Sequence, residues 1–215
     1  MANYQLPEER TKAFTITAKS SLPVKPNYTL LSKLKATGRG TLKLSWSTVK
    51  DADGYDVFFA KCANGSTFRK IASVDAPTRT YKISGLKNLK AYKAYVKAWK
   101  RVNGSIAYIG ETSQTVHAIP GGYNETRCNA KSVTVKNKTF TLAKGKSSRI
   151  RATVTGVKKD RKALRHAKLL RYYSSNVNVA RVNSKGRITA VGGGTCRIYV
   201  MANNGVKATT TAKVK

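Results

Sequence analysis

The chain has 215 residues, 40% of them hydrophobic, with 42 Lys and Arg against 9 Asp and Glu, a formal net charge of +33. That length suits two small domains and that hydrophobic share suits two modest cores. No run of about 18 apolar residues is present, which excludes a membrane-spanning helix, and three cysteines allow one disulfide at most. The charge is uneven. Residues 1–122 hold 20 basic and 7 acidic side chains, net +13, and residues 123–215 hold 22 and 2, net +20. A surface of this kind attracts polyanions over roughly one Debye length, about 8–10 Å.

Residues 1–29 are polar, carry Pro7, Pro23 and Pro26, and lack the apolar core of a signal peptide. They are expected to form an extended N-terminal arm that joins the chain to other proteins of an assembly. Residues 30–118 read as an all-β domain. Leu42, Leu44 and Trp46 alternate with polar residues, as do Tyr55, Val57 and Phe59. A period of two marks strands with one buried face. Trp46 facing Tyr55 would seed a sandwich core. Further strands are predicted at 31–36, 68–74, 80–83, 92–100 and 113–118, with turns at Asn64-Gly65 and Asn103-Gly104.

Four segments in order, Leu44-Ser-Trp46, Gly54-Tyr-Asp-Val57, Leu86 with Tyr92, and Val96-Lys-Ala98, resemble a fibronectin type III domain. The resemblance implies a tyrosine corner, in which the Tyr92 hydroxyl bonds back to the backbone near the preceding turn. Ile119-Pro-Gly-Gly122 is the expected linker.

Residues 123–215 read as a second all-β domain. Strands are predicted at 132–135, 139–142, 149–154 and 208–214, with others around 181–182, 184–191 and 192–200. Tyr173-Ser-Ser-Asn176, Val179-Ala-Arg-Val182, Gly186-Arg-Ile-Thr-Ala190 and Gly194 with Ile198 resemble a bacterial Ig-like group 2 domain. That family usually has Trp where Tyr172 or Tyr173 stands, so the packing there is expected to differ. The family occurs in intimin- and invasin-type adhesins, in surface proteins of Gram-positive gut anaerobes and in phage virion proteins. The predicted fold is therefore two tandem Ig-like β-sandwiches behind an N-terminal arm.

Two candidate sites follow. The stretch 157–171 carries Lys158, Lys159, Arg161, Lys162, Arg165, Lys168 and Arg171 against a lone Asp160. It reads either as a grip on phosphates or carboxylates or as a solvated loop. Tyr95 and Trp99 alternate with the inward Val96 and Ala98, so both should face outward beside Lys93, Lys97 and Lys100. Such a face stacks sugars or bases, or packs a neighbouring domain. Asp51-Ala-Asp-Gly54 opens like a calcium loop but lacks the closing Glu, and no spacing suggests a metal or cofactor site. His117 and His166 fall in different domains, and no Ser-His-Asp or Cys-His grouping can be placed. Cys196 shares a face with Ile198 and Val200, which predicts a buried thiol, with a bond to Cys128 left open.

The function expected is non-catalytic: an Ig-like protein displayed outside a large assembly, its basic surface holding anionic glycans, cell-wall polymers or acidic proteins. An opening Met without an export segment points to a virion accessory protein on capsid or tail. The alternative is a secreted or surface adhesion and wall-attachment module. Nucleic-acid binding would explain the charge but not the domains.

Overall fold

The computed structural model describes residues 30–121, 129–156 and 169–215. Among these every regular element is a strand. The first sandwich contains β1 (Ser32–Gly38), β2 (Thr41–Trp46), β3 (Gly54–Lys61), β4 (Arg69–Asp75), β5 (Thr80–Ile83), β6 (Tyr92–Val102), β7 (Ser105–Ile109) and β8 (Val116–Ala118). One sheet has the order β1-β2-β5. The other runs β4-β3-β6-β7, with β8 also paired to β6.

The alternation predicted from sequence is what closes the core. Leu34, Leu42, Leu44, Val57, Ala94 and Val96 are fully buried between the sheets. Each large aliphatic side chain among them contributes about 1.5–3 kcal/mol by leaving water. The Trp46 and Tyr55 rings meet with centroids 5.5 Å apart and tilted by 57°, as expected. The Lys87 N–H donates to the Tyr92 hydroxyl at 3.0 Å, which is the tyrosine corner. One strand, β7, was not foreseen. It pairs with β6 beyond the Asn103-Gly104 turn, and its side chains are largely exposed.

The second sandwich contains β9 (Ser132–Val135), β10 (Thr139–Leu142), β11 (Ser147–Arg149), β12 (Ala152–Thr155), β13 (Leu170–Ser174), β14 (Ala180–Val182), β15 (Arg187–Ala190), β16 (Gly194–Ala202) and β17 (Lys207–Val214). The largest sheet is β10-β17-β16-β13, in which β10 runs parallel to β17. The others are β11-β15-β14 and β12-β9. Phe140, Ile150, Ile188, Ile198, Val200 and Ala212 lie in the core between them. The single strand expected over 149–154 is two strands in different sheets. Buried Ile150 lies at the switch, its N–H bonded to the Gly186 carbonyl while the next carbonyl, of Arg151, accepts from Lys136.

The two sandwiches are joined by more than their linker. The turn after β16, Asn203-Asn204-Gly205, lies against β1 and β8. The Leu34 N–H donates to the Asn204 carbonyl at 2.9 Å, and the His117 N–H to the Asn203 carbonyl at 2.8 Å. Gln114 is buried beside them. Its Nε2 donates to the Ser32 carbonyl at 2.9 Å and its Oε1 accepts from the Ser32 N–H, with fully buried Met201 alongside. Asn129 closes the linker side, bonding both the N–H and the carbonyl of Ile119. Buried backbone groups need partners, and here each sandwich satisfies groups of the other.

Gly205 tests this joint. Its φ is +85°, and a Cβ there would stand 2.2 Å from the Ser32 carbonyl oxygen and 2.6 Å from Lys33 Cα. Gly65 has a similar φ, +70°, with nothing within 4 Å. Both Ala variants incur the left-handed backbone cost of about 1–3 kcal/mol, but only Gly205→Ala also forces the joint apart. We expect Gly205→Ala to lower the urea midpoint clearly more than Gly65→Ala. Equal midpoints would mean that the turn is not seated on β1.

Candidate functional site

The outer face of the β4-β3-β6-β7 sheet carries a layer of aromatic and cationic side chains. Strand register builds it: Phe58 lies opposite Tyr95, Asp56 opposite Lys97, and Trp99 opposite both Gly54 and Tyr108. Phe58 and Tyr95 stack at 4.7 Å with an interplanar angle of 7°, and Phe68 meets Tyr95 edge-on at 4.7 Å. Lys97 Nζ lies 4.5 Å from the Tyr108 ring centre and 5.6 Å from that of Phe58. Lys93 covers Phe68 at 4.8 Å. Cation–π contacts of this kind contribute about 0.5–1 kcal/mol at exposed sites.

Asp56 organises the layer. It is buried, and its carboxylate accepts from Ser73 Oγ at 2.6 Å and from the Tyr108 hydroxyl at 2.7 Å, with Lys70 Nζ at 3.2 Å. Burial pushes its carboxyl up, but these hydrogen bonds and the lysine charge together outweigh burial and hold it below its ordinary value. The same hydrogen bond to Asp56, helped by burial, pushes Tyr108 up to about 12.

Tyr95 occupies the face expected of it, half-buried among its aromatic neighbours. Trp99 does not. It points to the outer side but is only 2% exposed. Its ring fills the space over Gly54, where a Cβ would lie 2.2 Å from Trp99 Cζ2, and Arg101 covers it at 4.9 Å. Trp99 is a packing residue, and the half-exposed Tyr108 and Ile106 are what this face presents instead. Lys93 and Lys97 belong to the layer, whereas Lys100 alternates away from it.

Of the basic stretch, Lys158, Lys159, Arg161, Lys162, Arg165 and Lys168 lie outside the described residues. Arg171 lies within them and turns toward the joint. Its Nη1 donates to the Thr115 carbonyl at 2.6 Å and its Nη2 to the Asn203 carbonyl at 3.0 Å. The guanidinium thus bridges the two sandwiches.

A cysteine–histidine pair escaped the sequence reading. Cys62 Sγ lies 3.1 Å from His117 Nδ1, brought there by β8 pairing beside β6. Burial pushes the Cys62 thiol up, with Lys93 opposing only in part, so the pair has the character of a packed thiol rather than an activated thiolate. Cys196 is a buried thiol beside Ser174 Oγ. Cys128 lies outside the described residues. Among the described residues no three His, Cys, Asp or Glu side chains group as a metal site.

Residues 129–213 match the family model of the bacterial Ig-like domain (group 2). Such domains are typical of extracellular and surface proteins. No curated protein matches the chain. Among solved structures, a β-1,2-glucanase from Parabacteroides distasonis aligns at 19% identity and a TM-score of 0.38, covering 47% of this chain and 14% of the glucanase. The fn3 domain of human contactin 1 aligns at 14% identity and a TM-score of 0.35, covering 42% of this chain and 74% of that domain. A human fourth FNIII domain aligns at 19% and 0.36, covering 52% and 92%. All three scores lie below 0.5, and nothing about activity transfers from them. Domains of the bacterial Ig-like group are generally non-catalytic, and the match over residues 129–213 suggests a structural or adhesion-type module.

The Asp56–Tyr108 pair predicts a pH signature. Asp56 is lowered from 3.8, so its contribution is present above pH 3.8 and is lost as pH falls through its lower folded value. Tyr108 is raised from 10.0 to about 12, so its contribution is full below pH 10 and is lost as pH rises through about 12. In a ¹³Cζ-tyrosine NMR titration, one resonance should titrate near pH 12, and in Asp56→Asn it should move toward 10. An unchanged resonance in that variant would remove the hydrogen bond from the account.

Proposed function

We propose that the protein is a structural and adhesive module of an extracellular assembly, holding an anionic polymer on its second sandwich and presenting its first to a partner. One observation carries this reading. Over the described residues of the second sandwich, 129–156 and 169–215, there are fifteen Lys and Arg and no Asp or Glu. Both ion pairs among the described residues, Lys70–Asp56 and Arg101–Asp75, lie in the first. A module built without a carboxylate across these segments repels itself at the cost of stability. That cost is offset when a polyanion is bound.

The setting is an assembly surface, either a virion carrying the protein as a capsid or tail accessory or a bacterial cell wall. The group 2 Ig-like match over 129–213 supports the cell-surface setting as a second reading. In the virion reading, residues 1–29 are the segment that engages the other proteins.

The test is retention of the full chain on immobilised polymers against ionic strength. The Debye length falls from about 10 Å at 0.1 M salt to about 3 Å at 1 M. We expect retention on sulfated, uronic-acid or teichoic-acid polymers at low salt, release before 1 M, and none on neutral dextran. Flow-through on every anionic polymer at low salt would sink the reading.

A further inference from the structure

The switch from β11 to β12 leaves a cleft. As the chain leaves one sheet at Arg149 and enters another at Ala152, a gap of about 990 Å³ opens between the β9 and β15 sides of the second sandwich. Four cations line it: Lys136, Arg149, Arg151 and Lys185. Arg149 and Arg151 flank buried Ile150, so both arginines point away from the core. Two residues of extended chain set their Cα atoms roughly 6.5–7 Å apart. Lys136 is tied to this segment by its N–H bond to the Arg151 carbonyl. Lys185 sits on the Asn183–Gly186 turn, whose Gly186 carbonyl holds Ile150. None of the four side chains has an ion-pair or hydrogen-bond partner among the described residues. The positions are thus set by backbone hydrogen bonds while the charged ends are left free.

We propose that this cleft binds an anionic polysaccharide, its carboxylate, sulfate or phosphate groups held by Arg149 and Arg151 and flanked by Lys136 and Lys185. This deepens the functional reading above and rests on it. Guanidinium forks suit such planar or tetrahedral oxyanions. The volume is at the upper end of that of ordinary ligand sites. The cleft's rings argue against nucleic acid. Single strands are held by stacking bases on open aromatic faces. Here Phe140 is buried, and Tyr172 packs into the core with its ring end against Gly186, where a Cβ would meet it at 2.8 Å. Tyr172 is half-buried with its ring end taken up by that contact, so neither ring is an exposed stacking platform, while the cations stand free.

The experiment compares two triple variants of the full chain. Arg149→Ser/Arg151→Ser/Lys185→Ser removes three of the cleft's four cations. Arg181→Ser/Arg197→Ser/Lys213→Ser removes the same charge from exposed positions outside it. Binding is measured to a sulfated glycosaminoglycan, a polyuronate, a polyglycerol phosphate, neutral dextran, and duplex and single-stranded DNA. We expect the cleft variant to lose about tenfold or more on its best anionic glycan and the control no more than about threefold. In the wild type, the Ile150 and Tyr172 amide resonances should shift on titration with that glycan. Equal losses in the two variants would overturn the cleft and leave the charge-based function standing. Tighter, cleft-dependent DNA binding would overturn the glycan class. No binding by the wild type to any anionic polymer would overturn the functional reading and the cleft together. A thermal midpoint within about 2 °C of wild type shows that each variant is folded, and Lys136→Ser alone should weaken binding in the same direction.

Discussion

The backbone of one turn, Asn203-Asn204-Gly205, determines how the two halves of this protein relate. Its carbonyls accept from Leu34 and His117 on the first sandwich, and Gly205 approaches Ser32 so closely that no side chain fits between them. Gln114 braces Ser32 from within the first sandwich, and Arg171 reaches across to the Thr115 carbonyl while holding that of Asn203. A buried polar network is favourable only when its members are satisfied together. Separating the halves would exchange several of these hydrogen bonds for bonds to water at once, each a net loss of about 0.5–1.5 kcal/mol. The joint is therefore polar but stiff, and a charge pattern on one half is held in fixed relation to the other.

That fixity gives the uneven charge a geometric meaning. In the first sandwich a buried carboxylate gathers its surroundings, as Asp56 gathers Ser73, Tyr108 and Lys70. The described part of the second has no Asp or Glu to do so. The sheet switch at Ile150 brings several of its cations to one cleft. The aromatic layer and the cationic cleft are thus different kinds of surface carried by one framework. The first is internally paired and leaves Tyr108 and Ile106 for contact, and the second is unpaired.

What the sequence reveals follows which residues have a buried face. Alternation in Leu42–Trp46 and Tyr55–Phe59 is enforced by the core and could be read directly, whereas the Leu86–Tyr92 corner came through the fibronectin type III resemblance. β7 has no buried face, so its only trace was the Asn103-Gly104 turn before it. The β11–β12 switch was invisible because alternation continues through Ile150 while the pairing partner changes. Trp99 was assigned the right side of its strand and the wrong exposure, since a period of two cannot show that Gly54 leaves a slot for a ring. Gly54 itself was the available signal. The joint, the cleft and the Cys62–His117 pair unite residues tens of positions apart, and single-sequence patterning carries no information at that range.

The central claim is that the joint makes the two sandwiches one body. Residual dipolar couplings measured separately for amides of residues 30–118 and 129–214 test it most directly. The account predicts that both sets fit one alignment tensor, in magnitude and orientation, with the interdomain geometry described above. Two tensors of different magnitude would mean that the halves reorient independently, and the joint would then fail as the organising feature of this protein.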